Sequence, residues 1–383
     1  MGTIRLLLAI SVVIAHSTPV FGQRLWGGEI AVELFFIISG FYMSLILSEK
    51  YNTPDKIVIF YKNRFLKLFP IYWTILILSI SFFVIIYITF GKSDIVKNIS
   101  NSLDNLNNLG IYSIYIFMSN IFLLGEDLLM FLGFNGDTII FTKSFSDTKI
   151  PLHQFVIVPQ SWTLSLEIMF YLIAPFIARK SIKLVIFLFS ISVLIKLNLW
   201  ITGYSNDPWS YRFILSELAF FFIGMIMYKV YKLGFYTKVI ENKKLFFFGL
   251  ISFILSGYFY YDFKTILDFN GIDTFKYMIY LLFVLFLPLL FVKTKSNKID
   301  RYIGELSYPV YIVHIFSMYL ISLLYSCFAD NTYIVHISGS SIPFGENFAL
   351  FSICLSILLS ILLNKFIQKK VEKIRINNLK GND

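Results

Sequence analysis

Charge is scarce in this chain. Of 383 residues only 15% are charged and 57% are hydrophobic, whereas a soluble globular chain carries nearer a quarter charged residues. An ordinary soluble domain is thereby excluded, and apolar runs of the roughly 20 residues a helix needs to cross a bilayer recur from end to end. Cysteine is nearly absent too. Cys327 and Cys354 are the two present, without metal-ligand spacing, and are expected to be thiols buried in the membrane. Four histidines, His16, His153, His314 and His336, form no zinc-type cluster, and there is no Gly-x-Ser-x-Gly elbow and no Walker loop. No run of alternating ten-residue strands points to an outer-membrane barrel. No internal repeat supports an inverted-repeat transporter.

What remains is an all-α polytopic membrane helix bundle of about ten transmembrane helices. The expected spans are 4–21, 29–48, 68–90, 161–178, 182–201, 209–230, 244–261, 274–292, 303–327 and 346–367. The first imitates a signal peptide, but its cleavage site is poor and it is expected to be retained. Residues 110–133 are apolar but interrupted by Glu126 and Asp127, and read as an interface or re-entrant helix.

The net charge of +10 is distributed by loop, which argues against nucleic acid as the partner. Lys50, Lys56, Lys62, Arg64 and Lys67 precede the third span. Arg179, Lys180 and Lys183 follow the fourth, and Lys229 to Lys244 the sixth. Lys293 to Arg301 follow the eighth, and Lys365 to Lys380 occupy the tail. The loops between are sparse, so the positive-inside rule puts both termini in the cytoplasm and a long loop, about 91–160, outside. The chain divides into a transmembrane domain, 1–368, and a short basic tail, 369–383, which is expected to be a solvated or lipid-facing end.

Ionisable residues inside spans are costly and by default mark a site. Arg5 and His16 are eleven residues apart, about three turns, so they share one face about 16 Å apart along the axis. Glu29 and Glu33, at i and i+4 in the second span, stand where a carboxylate can orient an imidazole, although Glu29 is equally explained as charge favoured at a helix N-terminus. Arg64 and Lys67, at i and i+3, suit an anionic ligand or ordinary positive-inside charge. In PQSWTLSLEIMFYLIAP, Glu167 has Thr163 and Tyr171 on its face. In GELSYPVYIVHIF, Ser307, Tyr311 and His314 form a polar stripe that must face a cavity or another helix.

These segments resemble the acyltransferase-3 family of integral-membrane acyltransferases. The likeness is carried by R-x10-H, AVELFFIISGF, RFLKLFPIYW, SWTLSLEIMFYLIAP and IGELSYPVYIVHIF, in order and over nearly the whole chain. It implies transfer of an acyl group, often acetyl, from cytoplasmic acetyl-CoA as donor substrate to a hydroxyl of an extracytoplasmic glycan. No bound cofactor and no metal are implied. The partners expected are acyl-CoA, a surface polysaccharide or lipid-linked sugar and the lipid bilayer, in the inner membrane of a bacterium. His16 matches the family's essential histidine, and Glu33 stands where many members have aspartate. Arg64 and Lys67 match an Arg-x-x-Arg pair linked to donor use, with Arg5 beside them. Lysine at the second position loses the bidentate fork. Trp162, Glu167 and Tyr171 match W-S-L-x-x-E-x-x-F-Y, with Thr163 replacing its serine, and Ser307, Tyr308 and His314 match S-Y-x-x-Y-x-x-H. A transporter or flippase for a lipid-linked sugar is the alternative that buried charges alone leave open.

Overall fold

The computed structural model describes residues 1–90, 109–144, 147–236, 242–269, 271–328 and 345–380. The start of the expected outer loop, 91–108, and His336 lie outside them. The helices, in order, are α1 Gly2–Ala15, α2 Gly27–Glu49, α3 Lys56–Phe90, α4 Tyr112–Phe122, α5 Trp162–Ile177, α6 Ile182–Ile201 and α7 Ile214–Lys232. They continue with α8 Lys243–Tyr258, α9 Tyr260–Ile266, α10 Thr274–Thr294, α11 Lys298–Phe328, α12 Gly345–Leu363 and α13 Lys369–Lys380.

Each of the ten expected spans contains a helix. Seven are long and apolar enough to cross a membrane, and α8 with α9, bent by 72°, makes an eighth if counted as one broken span. The other two are α1, of 14 residues, and α5, of 16. The first is shorter than 4–21 because Pro19 lacks an N–H and forces Thr18 out of helical geometry. The chain instead turns through a Val20–Gln23 bridge, with Phe21 and Gly22 at φ 50° and 76°.

Two helix pairs pack backbone to backbone, which small residues permit inside membranes. A Cβ on Gly40 of α2 would lie 1.9 Å from the Phe221 carbonyl oxygen of α7, and one on Gly224 would lie 2.0 Å from that of Ile37. Gly2 and Gly304 bring α1 against α11 in the same way. Asp300 secures that end. It accepts from the amides of Gly2 and Thr3 at 2.8 and 2.9 Å and pairs with the Met1 ammonium at 2.9 Å. From this joint α1 and α11 ascend together, so His16 at the end of one meets His314 in the middle of the other.

The stretch 110–133 does not form a span. Its helix α4 has 11 residues and ends at Leu123, in the left-handed region. Asn120 clamps it to the run before α5, donating to the Phe155 carbonyl at 3.1 Å and accepting from the Ile157 amide at 2.9 Å. Glu126 and Asp127, which interrupt the apolar run, are buried. Burial pushes the Glu126 carboxyl well above the usual carboxylate range, and Asp127 accepts from Ser165 of α5 at 2.6 Å. Three short strands, β1 Leu132–Phe134, β2 Ile139–Phe141 and β3 Ile150–Pro151, form an antiparallel sheet in the order β2-β1-β3. β4 Asp268–Phe269 pairs with β5 Ile272–Asp273. Elements this short leave no alternation to read in a sequence.

Cys354 is exposed on α12, inside a helix apolar enough to cross a membrane, so its face away from the bundle is one that lipid would cover. One expectation needs correction. The basic tail is not a free end. After a π-helical turn at Asn364–Gln368 it continues as α13 and lies on α3, where Asn378 donates to Asn63 at 3.2 Å.

Candidate active site

A cavity of about 550 Å³ opens between α1, α2, α3, α5 and α11, within the usual size range of small-molecule sites. Arg5, Lys50, Arg64, Lys67, Lys295, Arg301 and Arg375 contribute seven cations to its lining, against the carboxylates of Glu167, Asp300 and Glu305. α3 supplies Arg64, 7% exposed, whose guanidinium lies 5.7 Å from the ring centroids of Phe60 and Tyr171. Its Nε is buried without a hydrogen-bond partner. Lys67, one turn on, lines the same wall. Glu167 faces these cations from α5. It accepts from Ser39 at 2.8 Å and from the Tyr171 hydroxyl, which fixes it without cancelling the cations. Tyr308 lines the cavity too and donates to the Leu68 carbonyl at 2.6 Å, tying α11 to α3. Ser307, fully buried, turns back to the Gly304 carbonyl at 2.7 Å.

The cavity reaches Thr163 and Tyr311. The Thr163 hydroxyl donates to the Tyr311 oxygen at 2.9 Å, and Phe35 meets the Tyr311 ring edge-on at 6.2 Å between centroids. Past Tyr311 lies His314, with ring centroids 5.9 Å apart, and His314 lies 5.3 Å from His16. His314 is fully buried, and its Nδ1 is 2.6 Å from the Tyr311 carbonyl. A carbonyl only accepts, so Nδ1 carries the proton and the neutral ring keeps a lone pair on Nε2, which has no hydrogen-bond partner. His16 is exposed at the end of α1. Trp162 stands nearby under Arg212, whose guanidinium lies 4.3 Å from the indole centroid. Asp207, at 2.6 and 2.9 Å, and the Tyr211 hydroxyl, at 2.7 Å, hold that guanidinium in place.

Glu33 goes elsewhere. It is fully buried, and its oxygens are taken by Lys196 of α6 at 3.0 Å, by Lys276 of α10 at 3.4 Å and by the Tyr280 hydroxyl. Lys196 also binds Glu217 of α7 at 2.9 Å, and Lys276 binds Glu29 at 2.5 Å. The two acids of α2 thus knot four helices together, and the imidazole expected beside Glu33 is not among its hydrogen-bond partners.

The structure therefore gathers Arg5, Arg64, Lys67, Glu167, Tyr171, Ser307 and Tyr308 on one cavity, and His16 with His314 just past its Tyr311 wall. Glu29 and Glu33 stand apart in a second cluster. Sequence reasoning missed Lys196 and Glu217, the partners of Glu33. A lysine and a glutamate well inside expected spans were signal enough to pair with it. It also missed Arg375, hidden among the other tail cations.

A family model described as an acyltransferase domain matches residues 3–365. No match was found among curated proteins or among solved structures.

Proposed function

The chain belongs to the acyltransferase-3 family and is a membrane acyltransferase; we propose that it moves an acyl group, most simply acetyl, from a cytoplasmic acyl-CoA to a hydroxyl of an extracytoplasmic polysaccharide or glycolipid. The carrying observation is one cavity with unbalanced cations along its walls and Tyr311, His314 and His16 in succession at its inner limit. The loop charges favour a cytoplasmic position for the cation-bearing face, where the CoA phosphates are. This supports a bacterial inner-membrane enzyme reached by its two substrates from opposite sides.

In this reading the phosphates of the donor lie against Arg5, Arg64 and Lys67, and the thioester extends towards Tyr311. His16 takes the proton of the acceptor hydroxyl. The oxygen attacks the thioester carbonyl, the C–S bond breaks, and the CoA thiolate leaves and recovers a proton. His314 stands beside His16 with its Nε2 lone pair available to the imidazolium that forms. Glu33 acts at one remove, by holding α2 against α6 and α10. Trp162 and the held Arg212 offer a flat, polar-edged surface near His16 for a sugar ring.

The test is acyl transfer from labelled acetyl-CoA in membranes, followed by mass and NMR comparison of surface glycan from cells with and without the gene. Label must appear on glycan and depend on His16. A flippase would give no label at all. Label retained on the protein without acceptor would make His16 an acyl carrier instead of a base.

A further inference from the structure

We propose that the C-terminal helix α13 forms a wall of the donor site and that its Arg375 binds a phosphate of the donor. This rests on the acyl-CoA reading above. The basic tail by itself suggests only solvated charge, but four observations set Arg375 apart. It lines the same cavity as Arg64 and Lys67. Its side chain is 15% exposed, while Lys373, two residues earlier, is exposed. Its Nε is buried without a hydrogen-bond partner, as is that of Arg64. Its position is built from α3: Asn63, fully buried and adjacent to Arg64, donates to the Arg375 carbonyl at 3.4 Å and to the Tyr51 hydroxyl at 3.0 Å.

Glu372 pairs with one Arg375 terminal nitrogen, but that carboxylate is half-exposed and leaves the Nε–H without a partner. Two guanidinium-bearing residues from separate helices line one cavity, each also with a buried Nε–H that has no partner, and their like charges repel one another until an anion lies between them. A phosphate is the matching anion, since its several oxygens can accept from two planar forks at once. The tail helix follows a π-helical turn, where both side-chain polar atoms of Asn364 are buried without partners, and it packs on α3.

The test is calorimetric titration of acetyl-CoA into the full chain in lipid nanodiscs, comparing wild type, Arg375→Gln, Arg375→Lys and Lys373→Gln. Arg375→Gln should weaken binding about 10- to 100-fold, the range of one charge-assisted hydrogen bond. Arg375→Lys should fall between it and wild type. Lys373→Gln removes the same charge from the same helix and should bind as wild type. The ligand-free melting temperature of Arg375→Gln should not fall, which a merely structural role would require. If wild type fails to bind acetyl-CoA, the donor reading is wrong. If wild type binds and Arg375→Gln binds equally, only the role of Arg375 is wrong. Unchanged acetyl-CoA affinity with lost retention of anionic lipid would give the guanidinium to a headgroup and overturn the proposal.

Discussion

Two regions of this bundle bury charge, and they do so in opposite ways. Around Glu33 every ammonium bridges two carboxylates: Lys196 holds Glu33 and Glu217, and Lys276 holds Glu29 and Glu33. Around Arg64 the cations outnumber the carboxylates, and two guanidinium Nε atoms have no partner. Removing one member of a closed network strands the other in low dielectric, so its effect is on folding. Removing a cation from an unbalanced cavity relieves repulsion in the free protein and is felt only when the anion arrives. A charge inside a span is therefore weak evidence for a site until its partners are known.

The largest effect should come at the inner limit of the cavity. His16→Ala is expected to cut glycan acylation about 10²- to 10⁴-fold at normal protein levels, read by labelled-donor transfer in membranes; full activity would remove His16 from the chemistry. Glu33→Ala strands Lys196 and Lys276 and should cost about 3–5 kcal/mol, seen as loss of folded protein in a detergent melt. A variant that melts like wild type but transfers nothing would return Glu33 to a direct catalytic role. Arg64→Gln is its opposite: an unchanged or raised melting temperature with the donor KM up about 10- to 100-fold, and an unchanged KM would dissolve the distinction between the two regions. Smallest of all is Lys67→Arg, which restores a fork at the cavity wall and should shift the donor KM by less than about 10-fold, downward, with stability untouched.

Much of this was legible without coordinates. Each of the ten apolar segments contains a helix, seven of them long and apolar enough to cross a membrane, because a chain in lipid must satisfy its backbone within each helix. The interruption at Glu126 and Asp127 correctly denies a span to 110–133. Arg64, Lys67, Glu167 and Tyr308 line one cavity, a grouping that their separate motifs did not give, since they lie on three helices far apart along the chain. Helix ends were less legible: α1 stops at Ala15, and the apolar residues after it form a turn. Hydrophobicity reports the medium around a residue, not its backbone geometry. The tail was misjudged for a related reason, since a run of lysines and arginines looks the same whether solvated or packed on a neighbouring helix.

The amino-acid sequence by itself determined the medium, the helices and the chemistry available, because apolar length and residue type are local properties. Which carboxylate meets which cation was decided by tertiary packing alone. Gly40 against α7 and Gly2 against α11 set how α1, α2, α7 and α11 approach one another. That approach turns Glu33 towards Lys196 and Lys276, and it brings His314 to His16. Interactions between side chains hundreds of residues apart depend on distance in space, and spacing along the chain carries no record of it.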